Sequence, residues 1–181
     1  GKTPYSSIGL VGKLSIQYLV FPPNWDFGAN LFATLLPLTN TPSNKSARFI
    51  GANVRAGYIL PFFKPPWKVS LLGGVFFGTM MVSDDSFGYT NLIFPQLHPT
   101  ISYTFHNRHS VYGYLKYVPL KKPIGISFSE REFAGGAGYL LPLKNGHPMT
   151  FSLDYSSIAM MVDAKNELKS SSISASVGYG L

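Results

Sequence analysis

The chain has 181 residues, the length of one domain, with 45% apolar and 15% aromatic residues, only 13% Asp, Glu, Lys and Arg, and a formal charge of +7. Charged residues reach about half the roughly 25% of soluble domains, which argues against a large solvated surface, and the 14 Phe and 11 Tyr exclude a disordered chain despite 18 Gly and 14 Pro. No Cys is present, which excludes disulfides, thiolate metal sites and a cysteine nucleophile and suits an oxidising compartment.

The first residues, Gly-Lys-Thr-Pro, show neither Met nor the profile of a signal peptide, so the sequence reads as a mature or trimmed product. Over residues 7–20, Ile8, Leu10, Leu14, Ile16, Tyr18 and Val20 alternate with Ser7, Gly9, Lys13, Ser15 and Gln17. A period of two with one apolar face predicts a β-strand. The split recurs with Trp25, Phe27, Ala29, Leu31, Ala33 and Leu35 against Asp26, Gly28, Asn30 and Thr34. It continues over 48–62, where Ile50, Ala52, Val54, Tyr58 and Phe62 oppose Gly51, Asn53, Arg55 and Gly57, and over 69–81, where Leu72 and Phe76 blur it. Leu97, Ile101, Tyr103 and Phe105 then oppose Gln96, His98, Thr100, Ser102 and Thr104, followed by a weaker stretch over 110–119. Three more follow at 132–141, 150–156 and 173–181, the last reading Ile-Ser-Ala-Ser-Val-Gly-Tyr-Gly-Leu. The count is about nine strands, with Gly, Pro and Asn at the breaks.

Alternation alone fits a soluble sandwich or barrel as well as a membrane barrel. The second face decides between them. Here it holds mostly Gly, Ser, Thr, Ala and Asn rather than the charges of a water-facing sheet, which suits the crowded interior of a narrow barrel whose apolar face meets lipid. No apolar run approaches the roughly 18–20 residues of a membrane helix. The expected fold is therefore all-β, a single domain over 1–181, forming a closed antiparallel transmembrane β-barrel of about eight to ten strands.

Connector lengths orient it. Residues 21–25, 63–67, 106–109 and 144–147 are tight, whereas 39–46, 83–92, 119–130 and 163–170 are longer and more polar. Short turns face the periplasm in bacterial outer-membrane barrels. Phe21, Trp25, Phe62, Phe63, Trp67, Tyr103, Phe105 and Tyr139 cluster near the tight set, as an interfacial aromatic girdle should.

Across nearly its whole length, in these repeated dyads and in the terminal strand 173–181, the chain resembles the bacterial outer-membrane β-barrel class. Apolar residues at alternate positions up to Leu181, with Tyr179 two before it, are similar to the signal read by the barrel-assembly machinery, although Leu181 stands where the class has an aromatic residue. The resemblance implies an outer-membrane location, with the lipid bilayer and lipopolysaccharide as surroundings and the assembly machinery as a biogenesis partner. A protein partner in a larger outer-membrane complex is compatible with it. The class has even strand numbers, so nine implies a strand before Gly1, a weak strand within 83–98, or an incomplete crossing at 110–119. The near-repeat of Ala-Gly-Tyr-Ile-Leu-Pro at 56–61 and Ala-Gly-Tyr-Leu-Leu-Pro at 137–142 reads as reused hairpin chemistry.

Function then rests on the interior or the loops. Lys13, Arg55, Lys116, Glu132 and Asp154, with Gln17, Asn30, Asn53 and Gln96, are the interior polar candidates, expected to pair into a stiffening network, or alternatively to line a narrow conduit. Trp25, Phe62, Trp67, Tyr103 and Tyr139 are the candidate membrane-interface residues. A lipid hydrolase is the enzymatic alternative, because His98, His106 and Ser110 share a face and a His beside a hydroxyl is the minimum for acyl transfer. The His-x-Ser pattern of lipid A deacylases is missing, however, and no catalytic residue is expected. Eight strand residues separate His98 from His106 by roughly 26 Å, too far to share a metal. No cofactor or metal is expected, and the cations Lys45, Arg48, Lys121, Lys122, Lys165 and Lys169 are scattered rather than striped, which argues against nucleic acid. The remaining alternative, a soluble lipocalin-like carrier, requires a water-facing outer surface and an apolar calyx.

Overall fold

A computed structural model describes residues 10–20, 24–40, 45–82, 89–118, 130–161 and 167–179. Every regular element among them is a strand: β1 (Leu10–Val20), β2 (Trp25–Leu36), β3 (Leu38–Asn40), β4 (Lys45–Ile59), β5 (Trp67–Val82), β6 (Tyr89–Thr104), β7 (Ser110–Tyr117), β8 (Glu130–Pro142), β9 (Pro148–Met161) and β10 (Glu167–Tyr179). The nine long strands follow the nine alternating segments. The three-residue β3 continues β2 past Pro37 and pairs with β4.

Each long strand pairs antiparallel with the next, so sheet order equals chain order, and the sheet curves into an open half-barrel. A closed ring of even strand number was the expectation, and here the structure differs. Among the described residues β1 and β10 do not pair. Nine strands joined by eight antiparallel steps leave the first and last running the same way, so the antiparallel ladder that joins all other neighbours cannot join them. Residues 83–98 supply no extra strand among the described residues. Their second half is the start of β6, and 83–88 lie outside the described residues, as do Phe21 of the girdle, the loop lysines 121, 122 and 165, the stretch before Leu10, and Leu181. Segment 110–119 yields β7, eight residues long, short of the roughly 9–11 that a tilted bilayer-crossing strand needs.

Two prolines, Pro37 and Pro99, lie where a ladder is interrupted, and each lacks an N–H to give it. The β2–β4 register stops at Ala33↔Ile50 and resumes at Leu38↔Ala47, so residues 34–37 face only 48–49. Phe49 N–H, displaced from the ladder there, donates to Thr34 Oγ1 at 2.9 Å. Pro99 coincides with a lapse between Leu97↔Tyr117 and Thr100↔Tyr114 on the β6–β7 seam.

The direction of the apolar stripe is the central structural fact. Ile50, Val54 and Tyr58 are 50%, 60% and 39% exposed, and Leu14, Leu31, Leu71, Val75, Leu153, Ile173 and Val177 share that outer face. Opposite them, Asp26, Ser70, Gln96, His98 and Glu132 are buried. The outer face is thus largely apolar, while the inner one buries polar and charged groups together with Ala47, Leu72, Val118 and Ala134.

Candidate functional site

The inner face carries a belt of side chains that crosses the strands. Asn53 Nδ2 on β4 donates to Gln96 Oε1 on β6, and Gln96 Nε2 donates to Glu132 Oε2 on β8 at 3.0 Å. The other oxygen of Glu132 accepts from Lys116 Nζ on β7. Lys116 lies 5.1 Å from the centroid of the Phe76 ring on β5, which stacks on Phe32 of β2 with centroids 5.9 Å apart. One continuous chain of contacts therefore reaches from β2 to β8 across the concave face. A carboxylate buried to 4% exposure is tolerable because a cation and an amide satisfy both its oxygens.

Two shorter sets flank the belt. Tyr114 Oη donates to Asp154 Oδ1 at 2.5 Å, Ser152 Oγ donates to Asp154 Oδ2 at 2.9 Å, and Ser152 reaches Ser176 at 2.5 Å, tying β7, β9 and β10 together. Lys68 Nζ meets Asp26 Oδ2 at 3.0 Å, linking β5 to β2. His98 packs edge-on against the Tyr114 ring at 4.9 Å.

Of the interior candidates, Lys116 and Glu132 meet directly. Asp154 is held by Tyr114 and Ser152. Arg55 lies over Gly28, where an added Cβ would stand 2.6 Å from the guanidinium Nε. Lys13, on the edge strand β1, is exposed yet within electrostatic reach of Asp154 on β9, as well as Arg55 and Lys116, because the curl of the sheet turns the two strands toward one interior. Asn30 aligns with Asn53 across the β2–β4 ladder. The side chain of Gln17 lies outside the described residues. The partners Asp26, Lys68, Tyr114 and Ser152 were not singled out from sequence. Replacing Gly28 with Val is expected to displace Arg55 and to cost about 1–3 kcal/mol through overpacking, read as a lower urea midpoint of the folded chain. An unchanged midpoint would show that Arg55 has room to move.

At the short-turn end, two hairpin loops have the same construction. Phe105–His109 and Leu143–His147 each close with a hydrogen bond between their end residues, from Phe105 N to His109 O at 2.8 Å and from Leu143 N to His147 O at 2.9 Å. Asn107 and Asn145 each accept from the backbone N–H two residues on, and the residues that follow these asparagines, Arg108 and Gly146, have φ of 66° and 86°. This is the three-residue hairpin, in which the last loop residue is left-handed.

Tyrosines on the next strand meet these turns. Tyr58 Oη accepts from Asn24, Tyr139 Oη bonds His109 Nδ1, and Tyr179 Oη accepts from Asn145 at 2.9 Å. At the fourth hairpin the equivalent contact is Tyr103 against Trp67, centroids 4.8 Å apart. The Ala-Gly-Tyr repeat puts Tyr58 and Tyr139 in equivalent places, one strand beyond a hairpin whose turn side chain holds the hydroxyl. Trp25, Phe62, Trp67 and Tyr139 are exposed at this same end, with Tyr103 half-buried beside Trp67. Tyr58 and Tyr179 complete the ring and were not placed in it from sequence, although a Gly-Tyr pair ending a strand marks both.

For the enzymatic alternative, Ser110 Oγ is engaged by Thr104 Oγ1 at 3.0 Å, and His109, not His106, holds a hydroxyl, that of Tyr139. No group of three or more His, Asp or Glu side chains suited to a metal occurs among the described residues. Comparison with protein-family models, curated proteins and solved structures gives no match to this chain.

Proposed function

We propose that the chain is an integral β-barrel protein of the bacterial outer membrane, with a structural and partner-binding role and at most a narrow polar path through its interior. One observation carries the reading. Large apolar side chains cover the outer face while Asp26, Gln96, His98 and Glu132 are buried on the inner one, and only a hydrocarbon solvent rewards that inversion. The polar interior also speaks against the lipocalin-like carrier, which needs an apolar cavity. Strands of 11–16 residues, β7 and β3 apart, are long enough for tilted crossing.

The belt from Asn53 to Lys116 runs across the concave face, and a barrel of about eight to ten strands is nearly filled by its own side chains, so a general diffusion porin is disfavoured. Asn53 Oδ1 and Ser70 Oγ are buried without a hydrogen-bond partner among the described residues, which suits a thin wet path beside the belt. In this reading lipopolysaccharide contacts the loop end, the assembly machinery handles the chain during insertion, and the protein performs no catalysis. Membrane extraction followed by planar-bilayer recording tests it. The chain is expected to need detergent for solubility and to show conductance far below that of a porin. A monodisperse chain in plain buffer would overturn the placement, and porin-sized conductance would overturn the occluded interior.

A further inference from the structure

The tight connectors, residues 21–24, 60–66, 105–109 and 143–147, contain Lys64, Arg108 and Lys144 together with His106, His109 and His147, and not one Asp or Glu. Lys64, His106, Arg108 and Lys144 are exposed. The nearest carboxylate on the described strands, Asp26, faces inward and is held by Lys68, so it does not neutralise this end.

The aromatic ring fixes the depth of these cations. Tyr58, Tyr103, Tyr139 and Tyr179, with Trp25 and Trp67, lie at the strand ends, and rings of this kind settle at headgroup level. The cations sit on the turns just beyond, where lipid phosphates lie. Hydrogen bonds brace the turns that carry Arg108 and Lys144, since Asn107 and Asn145 cap their own backbone while His109 and Asn145 hold tyrosine hydroxyls, as Asn24 does in the first turn. Arg108 takes the left-handed slot that Gly146 fills in the twin turn. A non-glycine residue there bears conformational strain, so a cation is kept at the tip of this loop at a cost.

We infer that the short-turn end is a collar that binds the phosphodiester headgroups of anionic phospholipid, with Lys64, Arg108 and Lys144 as its permanent charges. This rests on the membrane reading above. Each cation contributes electrostatic attraction to an anionic leaflet, and the braced turns of Arg108 and Lys144 spare the ordering of a flexible loop.

The full chain reconstituted in phosphatidylcholine bilayers containing phosphatidylglycerol tests the collar, with spin-labelled lipids reporting which one lines the protein and far-UV circular dichroism with protease protection reporting insertion. The wild-type chain is expected to favour phosphatidylglycerol about fivefold. That preference should fall to parity in the triple variant Lys64→Gln, Arg108→Asn, Lys144→Gln and in 1 M salt, and persist in the charge-preserving Lys64→Arg, Lys144→Arg variant. Asn suits the left-handed slot, so the triple variant retains its turns. Normal insertion with no lipid preference, or a preference that survives the triple variant, overturns the collar alone. Failure of the wild-type chain to insert overturns the membrane reading and the collar with it.

Discussion

Replacing Lys116 with Met is expected to destabilise the folded chain by about 3 kcal/mol, because removing one member of a buried pair leaves the other charge uncompensated. Glu132 is the charge left behind. Its side chain is 4% exposed, and Gln96 alone would then face a full carboxylate. The loss also reaches Phe76, over whose ring the ammonium sits. Urea unfolding of the chain folded in detergent or lipid gives the measurement. Adding Glu132→Leu to the first substitution should recover much of the loss, since a pair replaced by apolar residues of similar volume is often neutral. Recovery should remain incomplete because Gln96 Nε2 loses its acceptor. A single-variant loss below about 1 kcal/mol would mean that the pair behaves as a solvated surface pair and that water reaches the belt freely.

Substituting Arg for Leu153 is expected to cost about 2–4 kcal/mol in a bilayer, the penalty of a cation at the midplane of a barrel's lipid face. Leu153 lies near the middle of β9, on the outer face, 60% exposed. Were that face in water, the same change would be within about 0.5 kcal/mol of neutral. The two solvents thus predict clearly different results for one residue. Phe62→Arg, in a turn at the short end and 76% exposed, should cost no more than about 1 kcal/mol, since the penalty fades near the interface. Equal, small effects at both positions would place the outer face in water and remove the membrane reading.

Alternation made the strands legible because side chains on a strand reverse face at every residue, so Val54, Leu153 and Ile173 declare one side and Arg55, Asp154 and Ser174 the other without any knowledge of neighbours. The inner location of the polar candidates followed from the same rule. Their partners did not, because contact between strands depends on register, and Gln96 meets Glu132 across 36 residues through offsets that no local pattern encodes. Asp26 and Lys68 escaped notice for that reason. The breaks at Pro37 and Pro99 were readable as punctuation, but the two-residue mismatch at Thr34 and Phe49 is a property of the pair of strands. Closure was the larger miss. Alternation counts strands, whereas the meeting of the first and last depends on direction as well as number, and an odd count separates those two requirements.

That odd count gives the opening between β1 and β10 a direction. Both flanking strands run toward the short-turn end, so a segment running from that end toward the loops would lie antiparallel to both, whereas one running the other way would lie parallel to both and pair through slanted, slightly weaker hydrogen bonds. Strand direction therefore weights any pairing at this opening before a side chain is consulted. Its two banks carry Lys13 and Ser15 on one side and Ser172, Ser174 and Ser176 on the other, short hydroxyls apart from one lysine.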